Sequence, residues 1–480
     1  MRFRLIAIAA LWALPAWANV SEPEGRDPSA FDIMNFLSDH GLHALDDERW
    51  NAYGQLTWIS SFKLPFTAAY TNYGGTNHSL SPNFEHSFTG TFTAYLGAKL
   101  WKGAELYWVP EVISERPLSK LVGLGSTIQN FELQKTGAAT PTPYSSRFFL
   151  KQTFNLGGQW IAKDSDPMQL ATNYQSRRVT IIAGNFSVLD FFDKNSYSGD
   201  LRRQFYNMAF LSYAAFDFAA DARGYAWGAM AQLDFDNISV RVGRFTPPVN
   251  PNQLEIDFRF WQYYGDQFEV EITHDAFGHP GAVRILGYRN QERMGRFDDA
   301  IAAFKADPSQ NAANCQSFSY DNPNPNAPDL CWVRKTNVKT GLGVNFEQAI
   351  YDDVGLFLRA MVSDGNTEVY SFTSADQSLS FGALAQGSLW GRPKDYAGVG
   401  MGFGWISKAH AQYLALGGTD GFIGDGKIRA AAESVFEVFY SYKLPRVVWL
   451  SADYQLINHP AYNADRGPVH IFGVRAHAEF

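Results

Sequence analysis

Side chains able to do chemistry recur in this chain at every second position. Glu105, Tyr107 and Glu111, then Arg147 and Lys151, then Arg178 and Arg241, each stand between apolar neighbours, as in Ala104-Glu105-Leu106-Tyr107-Trp108. In an extended strand that spacing places all the polar groups on one side. Taken together, the wet faces read this way carry ten bases and nine acids. The bases are Lys99, Arg147, Lys151, Arg178, Arg241, Arg284, Lys339, Arg359, Lys443 and Arg475. The acids are Glu105, Glu111, Asp234, Glu269, Glu271, Glu347, Glu437, Asp453 and Glu479. A wall so nearly balanced suits hydrogen bonding to neutral solutes better than selection by sign, which calls for rings of one charge. Catalysis would instead need a nucleophile, a base and an orienting group at one place. The chain contains no G-x-S-x-G, H-E-x-x-H, P-loop or C-x-x-C pattern, and His274, His410 and His477 fall on separate elements. The run from Asp193 to Asp200 is similar to a calcium loop, but its glycine is displaced and later ligands are missing. No catalytic residue, metal or cofactor is therefore expected.

The elements that position these groups are strands. Phe88, Gly90, Phe92, Ala94, Leu96, Ala98 and Leu100 alternate with Ser87, Thr89, Thr91, Thr93, Tyr95 and Lys99. Similar splits begin near residues 337 and 447, and the last runs through Phe472, Val474, Ala476 and Ala478 to the terminal Phe480. Sixteen candidate strands result, beginning near residues 50, 87, 104, 146, 178, 223, 238, 267, 282, 337, 354, 378, 396, 434, 447 and 469. Long connections (60–86, 113–145, 186–222, 291–336, 407–433) alternate with tight turns (101–103, 236–237, 348–353, 444–446), the habit of an outer-membrane barrel. Residues 156–177 break that habit. A soluble β-sandwich also alternates. Against it, Trp50, Trp58, Trp101, Trp108, Trp390 and Trp405 sit near strand ends, as interfacial girdles require. The fold class expected is all-β: a transmembrane antiparallel β-barrel of about 16 strands, with long extracellular loops partly folded into the lumen.

Composition agrees. Of 480 residues, 46% are hydrophobic, 15% aromatic and 18% charged, with 41 Gly and 2 Cys, which excludes disorder, collagen and a disulfide scaffold. No later stretch is long and apolar enough to cross as a helix, and the net charge of -8 speaks against nucleic acid. Arg2 and Arg4 precede an apolar run from Leu5 to Leu14, then Pro15 and Ala16-Trp17-Ala18, so residues 1–18 read as a secretory signal. Residues 19–49 read as a periplasmic or lumenal segment whose short helix starts at Asp27-Pro28-Ser29, carries Phe31, Met34 and Leu37, and ends at Gly41. Residues 50–480 form the barrel. After export Cys315 and Cys331 can pair across their Asn/Pro-rich loop, with two free thiols as the alternative.

Sixteen strands enclose more space than wall side chains fill, so an aqueous passage is expected. Residues 186–222 carry Asp190, Asp193, Asp200, Asp217 and Asp221 along with Phe186, Phe191, Phe192 and Phe216, and are expected to fold inward as the principal constriction, with 113–145 as the rival. Arg147, Lys151, Arg178 and Arg241 would then form a basic wall facing those aspartates. Tyr107, Phe149 and Trp449 would offer flat faces to a pyranose ring. Gly398, Gly400, Gly402 and Gly404 leave one strand bare on its lumen side, either for close packing of an infolded segment or for curvature.

Over nearly its whole length from about Phe31 the chain resembles the OprB-type carbohydrate-selective porins. The resemblance rests on Trp50-Asn51-Ala52-Tyr53-Gly54-Gln55, Trp101-Lys102-Gly103-Ala104-Glu105-Leu106-Tyr107, Ala183-Gly184-Asn185-Phe186-Ser187-Val188-Leu189-Asp190 and Ala220-Asp221-Ala222-Arg223-Gly224-Tyr225. It continues in Tyr264-Gly265-Asp266-Gln267, Arg296-Phe297-Asp298-Asp299-Ala300 and Tyr462-Asn463-Ala464-Asp465-Arg466-Gly467-Pro468. It implies passive diffusion of glucose or related monosaccharides through a sixteen-stranded pore in the outer membrane of a Gram-negative bacterium. The alternatives are a general porin for small hydrophilic solutes and, further off, a barrel enzyme. Expected partners are small carbohydrates, outer-membrane lipid and lipopolysaccharide, and the barrel-assembly machinery through Phe480; a homo-oligomer is left open.

Overall fold

A computed structural model describes residues 33–480 apart from 46–47, 277, 316–321, 372–373 and 446. The signal segment and the expected helix start at Asp27 lie outside the described residues. Sixteen antiparallel strands close into one barrel in chain order, with β1 returning to pair β16. They are β1 Trp50–Lys63, β2 Glu85–Trp101, β3 Ala104–Arg116, β4 Thr142–Lys163, β5 Thr172–Phe186, β6 Ala226–Phe235, β7 Ile238–Phe245 and β8 Tyr264–Ala276. The second half comprises β9 His279–Met294, β10 Lys335–Tyr351, β11 Val354–Ser363, β12 Gln377–Gln386, β13 Tyr396–Trp405, β14 Glu433–Lys443, β15 Val448–Asn458 and β16 Val469–Glu479. Every strand anticipated from alternation is present. Closure leaves no ladder edge unpaired, as a sheet surrounded by hydrocarbon requires.

The two faces sort as the period-two pattern dictates. On β2, Phe92, Leu96 and Leu100 are exposed outward while Ser87, Thr89, Thr91 and Thr93 are buried inward. All six girdle tryptophans are exposed on the outer surface. At the seam Gln55 pairs Glu479, and the Phe480 amide donates to the Gly54 carbonyl at 2.9 Å. A Cβ at Gly54 would run into the Phe480 ring, so a larger residue there would have to displace that ring.

Residues 156–177, irregular by sequence, form the far end of the β4–β5 hairpin. The two strands stay paired out to Lys163 and Thr172, with register shifts between Asn155 and Trp160. Gly157 and Gly158, at φ 132° and 89°, supply backbone conformations that side chains rarely adopt. Leu156 and Trp160 are exposed, so this stretch has lost the inside-outside contrast on which alternation depends. The tip then turns back. Asn51 Nδ2 donates to the Gln169 carbonyl at 2.8 Å, the Tyr53 hydroxyl to Ser165 Oγ at 2.7 Å, and the Leu170 amide to the Tyr107 hydroxyl at 3.0 Å. A short helix, α1 (Ile33–Asp39), packs Met34 on the start of β1, and Gly41 follows it at φ 68°. Cys315 and Cys331 are joined as a disulfide with Cα atoms 6.1 Å apart.

The long loops supply the interior. A short helix, α2 (Met208–Leu211), lies in the 187–225 loop and sits on the glycine strand β13. A Cβ on Gly400 would come 2.7 Å from Phe210, and one on Gly402 would come 2.8 Å from Ala209. Of the two readings left open by the sequence, close packing of an infolded segment is the one found.

Candidate functional site

Register brings the first groups together. Glu111 of β3 stands opposite Thr93 of β2 and Tyr144 of β4, all three facing inward. Thr93 donates to Glu111 Oε2 at 2.8 Å, and the Tyr144 hydroxyl donates to Glu111 Oε1. A register shift after Val109 then keeps Arg147 on the inner face beside them.

Two loops complete the cluster. From the 117–141 loop, Lys135 Nζ lies 2.7 Å from Glu111 and 3.6 Å from Glu132. Burial alone would lower the ammonium pKa, but Glu111 and its neighbours hold it well above the ordinary lysine range. From the 187–225 loop, Asp190 takes Arg147 in a two-pronged bond of 2.7 Å on each arm, and Arg202 donates to Glu132 at 2.6 Å. Asp190 is held in place because its carboxylate also accepts the Ser187 amide at 2.9 Å, closing a capping box on the turn that follows β5. Tyr225 ends that loop with its ring 5.1 Å from the Arg147 guanidinium and its hydroxyl 3.3 Å from Lys135 Nζ. The result is a ring of cations and anions in alternation, edged by phenols. Arg147 and Arg202 keep 15% and 14% of their side-chain surface accessible, so the ring still touches open space.

The far ends of both loops grip the opposite wall. Tyr206 and Asn207 amides donate to Glu437 of β14 at 2.6 and 3.0 Å, and Asn207 Nδ2 donates to Gln455 of β15 at 2.9 Å. The Ser126 hydroxyl donates to Glu433 at 2.8 Å, and the Met208 amide donates to the Ile128 carbonyl at 2.9 Å, tying loop to loop. Both loops therefore cross the interior, and the rival segment contributes as much as the expected one.

The residues expected from sequence divide into several groups. Arg147, Glu111 and Asp190 belong to the ring. Glu105, Tyr107 and Lys151 form a second cluster nearer the short-turn end, with Lys151 Nζ 2.9 Å from Glu105 and the Tyr107 hydroxyl donating to the same carboxylate. Arg178 pairs with Asp234 at 2.9 Å, and Arg241 with Glu269 and Glu271 at 2.6 and 2.9 Å. The basic wall facing loop aspartates is thus corrected: of its four members only Arg147 meets one. The other three find carboxylates on the adjacent strand, which costs no loop ordering. Asp193 lies on the far side, buried, holding Arg359, Asn345 and Ser212. The flat faces are corrected too. Tyr107 and Phe149 are each 1% exposed and Trp449 2%, the last covered by Arg203 at 4.4 Å from its ring. Lys135, Glu132, Arg202 and Tyr225 lie in loops and carry no periodic signal, and Tyr144 precedes the alternation that marks β4 from about residue 146, although the strand itself starts at Thr142.

A model of the OprB family of carbohydrate-selective porins matches residues 89–480. Among solved structures, the high-pH structure of Pseudomonas putida OprB is similar at TM-score 0.65 and 16% identity, covering 93% of this chain and 96% of that one. Its low-pH structure gives 0.47 and 12%, covering 93% and 95%. Pseudomonas aeruginosa OccK2 (OpdF) gives 0.42 and 10%, covering 90% and 97%. No curated protein sequence matches.

Proposed function

This chain belongs to the carbohydrate-selective porin family OprB, and from that premise we propose that it passes small neutral sugars of glucose-like size by passive, partly selective diffusion into the periplasm of a Gram-negative bacterium. The family and the fold are those of outer-membrane channels. The observation that carries the substrate reading is the ring around Glu111 and Arg147, where each cation has a carboxylate partner and tyrosine hydroxyls lie between them. A pore selecting ions by sign gathers one charge. Paired donors and acceptors at hydrogen-bond spacing instead match a sugar, whose every hydroxyl both gives and takes a proton. Tyr144, half-buried beside that ring, is the aromatic surface left accessible there, whereas Tyr225, Tyr107, Phe149 and Trp449 are buried.

Swelling of liposomes containing the purified barrel tests the reading. Monosaccharides are expected to enter much faster than disaccharides or charged solutes of equal mass. Rates that follow molecular size alone would leave a general porin for small hydrophilic solutes.

A further inference from the structure

The outer wall carries a rung of charged side chains at the upper margin of its apolar band. Arg244 of β7, Asp266 of β8 and Arg289 of β9 stand opposite one another in register and all point outward. Asp266 is taken by Arg244 at 2.7 and 2.8 Å, and both arginines lie against the Tyr264 ring, at 3.8 and 5.3 Å. Arg289 bonds only to neutral groups, the Tyr264 hydroxyl and Gln291, and Arg293 is exposed on the same face of the same strand. Among the described residues neither Arg289 nor Arg293 has an ion-pair partner. The rung thus has a net positive charge facing the membrane.

Its height is informative. Arg289 lies ten residues beyond His279, the short-turn end of β9. At about 3.3 Å per residue and a tilt near 40°, that is roughly 25 Å, the full height of a barrel's apolar band. Those arginines therefore reach the headgroup level on the long-loop side, the outer leaflet. Directly below them the wall is hollowed. Ala229, Ala231 and Gly287 occupy outward positions between Ile181, Val242 and Phe268, leaving an open, mostly apolar groove of about 770 Å³. Gly287 deepens it, since a Cβ there would meet nothing closer than 3.9 Å. This volume lies in the range of ligand pockets, roughly 300–1,000 Å³.

We propose that this groove and the arginine rung form a binding site for a phosphorylated, acylated glycolipid of the outer leaflet, lipopolysaccharide, with an acyl chain along Ala229, Ala231 and Gly287 and a phosphate on Arg289 and Arg293. Charge complementarity decides for this occupant. Guanidinium groups match phosphate oxygens in a fork, whereas a two-fold dimer through this face would set the same arginines against each other.

The test compares wild type with R289A/R293A and with G287L, all extracted from outer membranes in mild detergent, and quantifies the retained glycolipid by mass spectrometry. Single-channel conductance and heat-modifiable migration establish that each variant is folded. The expected result is a loss of at least tenfold in retained glycolipid for R289A/R293A and a clear loss for G287L, with conductance unchanged. In titrations of the delipidated protein, diphosphorylated lipid A is expected to bind at least tenfold more tightly than its dephosphorylated form. Equal retention by folded variants, equal binding of the two lipids, or a covalent dimer formed through a cysteine placed at Phe268 would each overturn the site. Because these residues face away from the lumen, failure here leaves the sugar reading untouched.

Discussion

Among single residues, Arg147 and the groups around it decide how the ring meets a solute. Removing Arg147 takes away a donor pair at the ring, and charge-assisted hydrogen bonds contribute about 1.5–3 kcal/mol each. Arg147→Ala is expected to raise the half-saturating glucose concentration about tenfold or more in planar-bilayer titrations, since 1.4 kcal/mol is a factor of ten. Asp190→Asn should act differently. It leaves the Arg147 guanidinium without its carboxylate, so the reversal potential in a salt gradient is expected to move toward anion preference; a potential unchanged from wild type would contradict the pairing. Glu111, Arg147 and Asp190 were legible in the sequence, the first two because alternation assigns each strand residue to a face, the third because the loop is rich in acids. Lys135 and Arg202 were not legible. Their partners, Glu111 and Glu132, are 24 and 70 residues away, and only the fold makes those separations short.

At the scale of elements, the infolded loop and the strand beneath it form a matched pair. The alternating glycines of β13 were plain in the sequence, but bareness alone does not say what fills it; the fit of Phe205, Ala209 and Phe210 against them does. Gly400→Leu is expected to dislodge the 205–210 segment, raise conductance and weaken discrimination between glucose and sucrose in swelling assays. Outside the membrane, α3 (Phe297–Ala306) and α4 (Lys408–Ala415) pack through His410, whose ring stacks on Phe297 at a centroid distance of 4.2 Å. Its nitrogens lie 3.2 Å from Asp376 and 3.2 Å from Asp420. Burial would lower its pKa, yet the two carboxylates raise it to about 9. A folded-state pKa above the unfolded value of roughly 6.5 means that this stabilisation is complete below that pH and is lost as pH rises through about 9. Amide exchange in residues 408–423, corrected for intrinsic rate, is expected to accelerate between pH 7.5 and pH 10, and H410F should remove that dependence. No periodicity announces this contact, because it joins three loops.

At the scale of the whole molecule, an oily outside and a wet inside explain why alternation found all sixteen strands. Each residue's face is fixed by hydrocarbon or water, and a slip of one position would exchange them. The same reasoning fails where that contrast fades, as it does beyond Asn155 in the β4–β5 hairpin. Paired charges inside, rather than a ring of one sign, then set what the cylinder admits. The most direct measurement is the current through single channels in a planar bilayer as glucose is added in steps. A sugar-binding constriction is expected to give a steady conductance that falls with glucose, saturates, and responds far less to sucrose. A current indifferent to glucose at every concentration would contradict it.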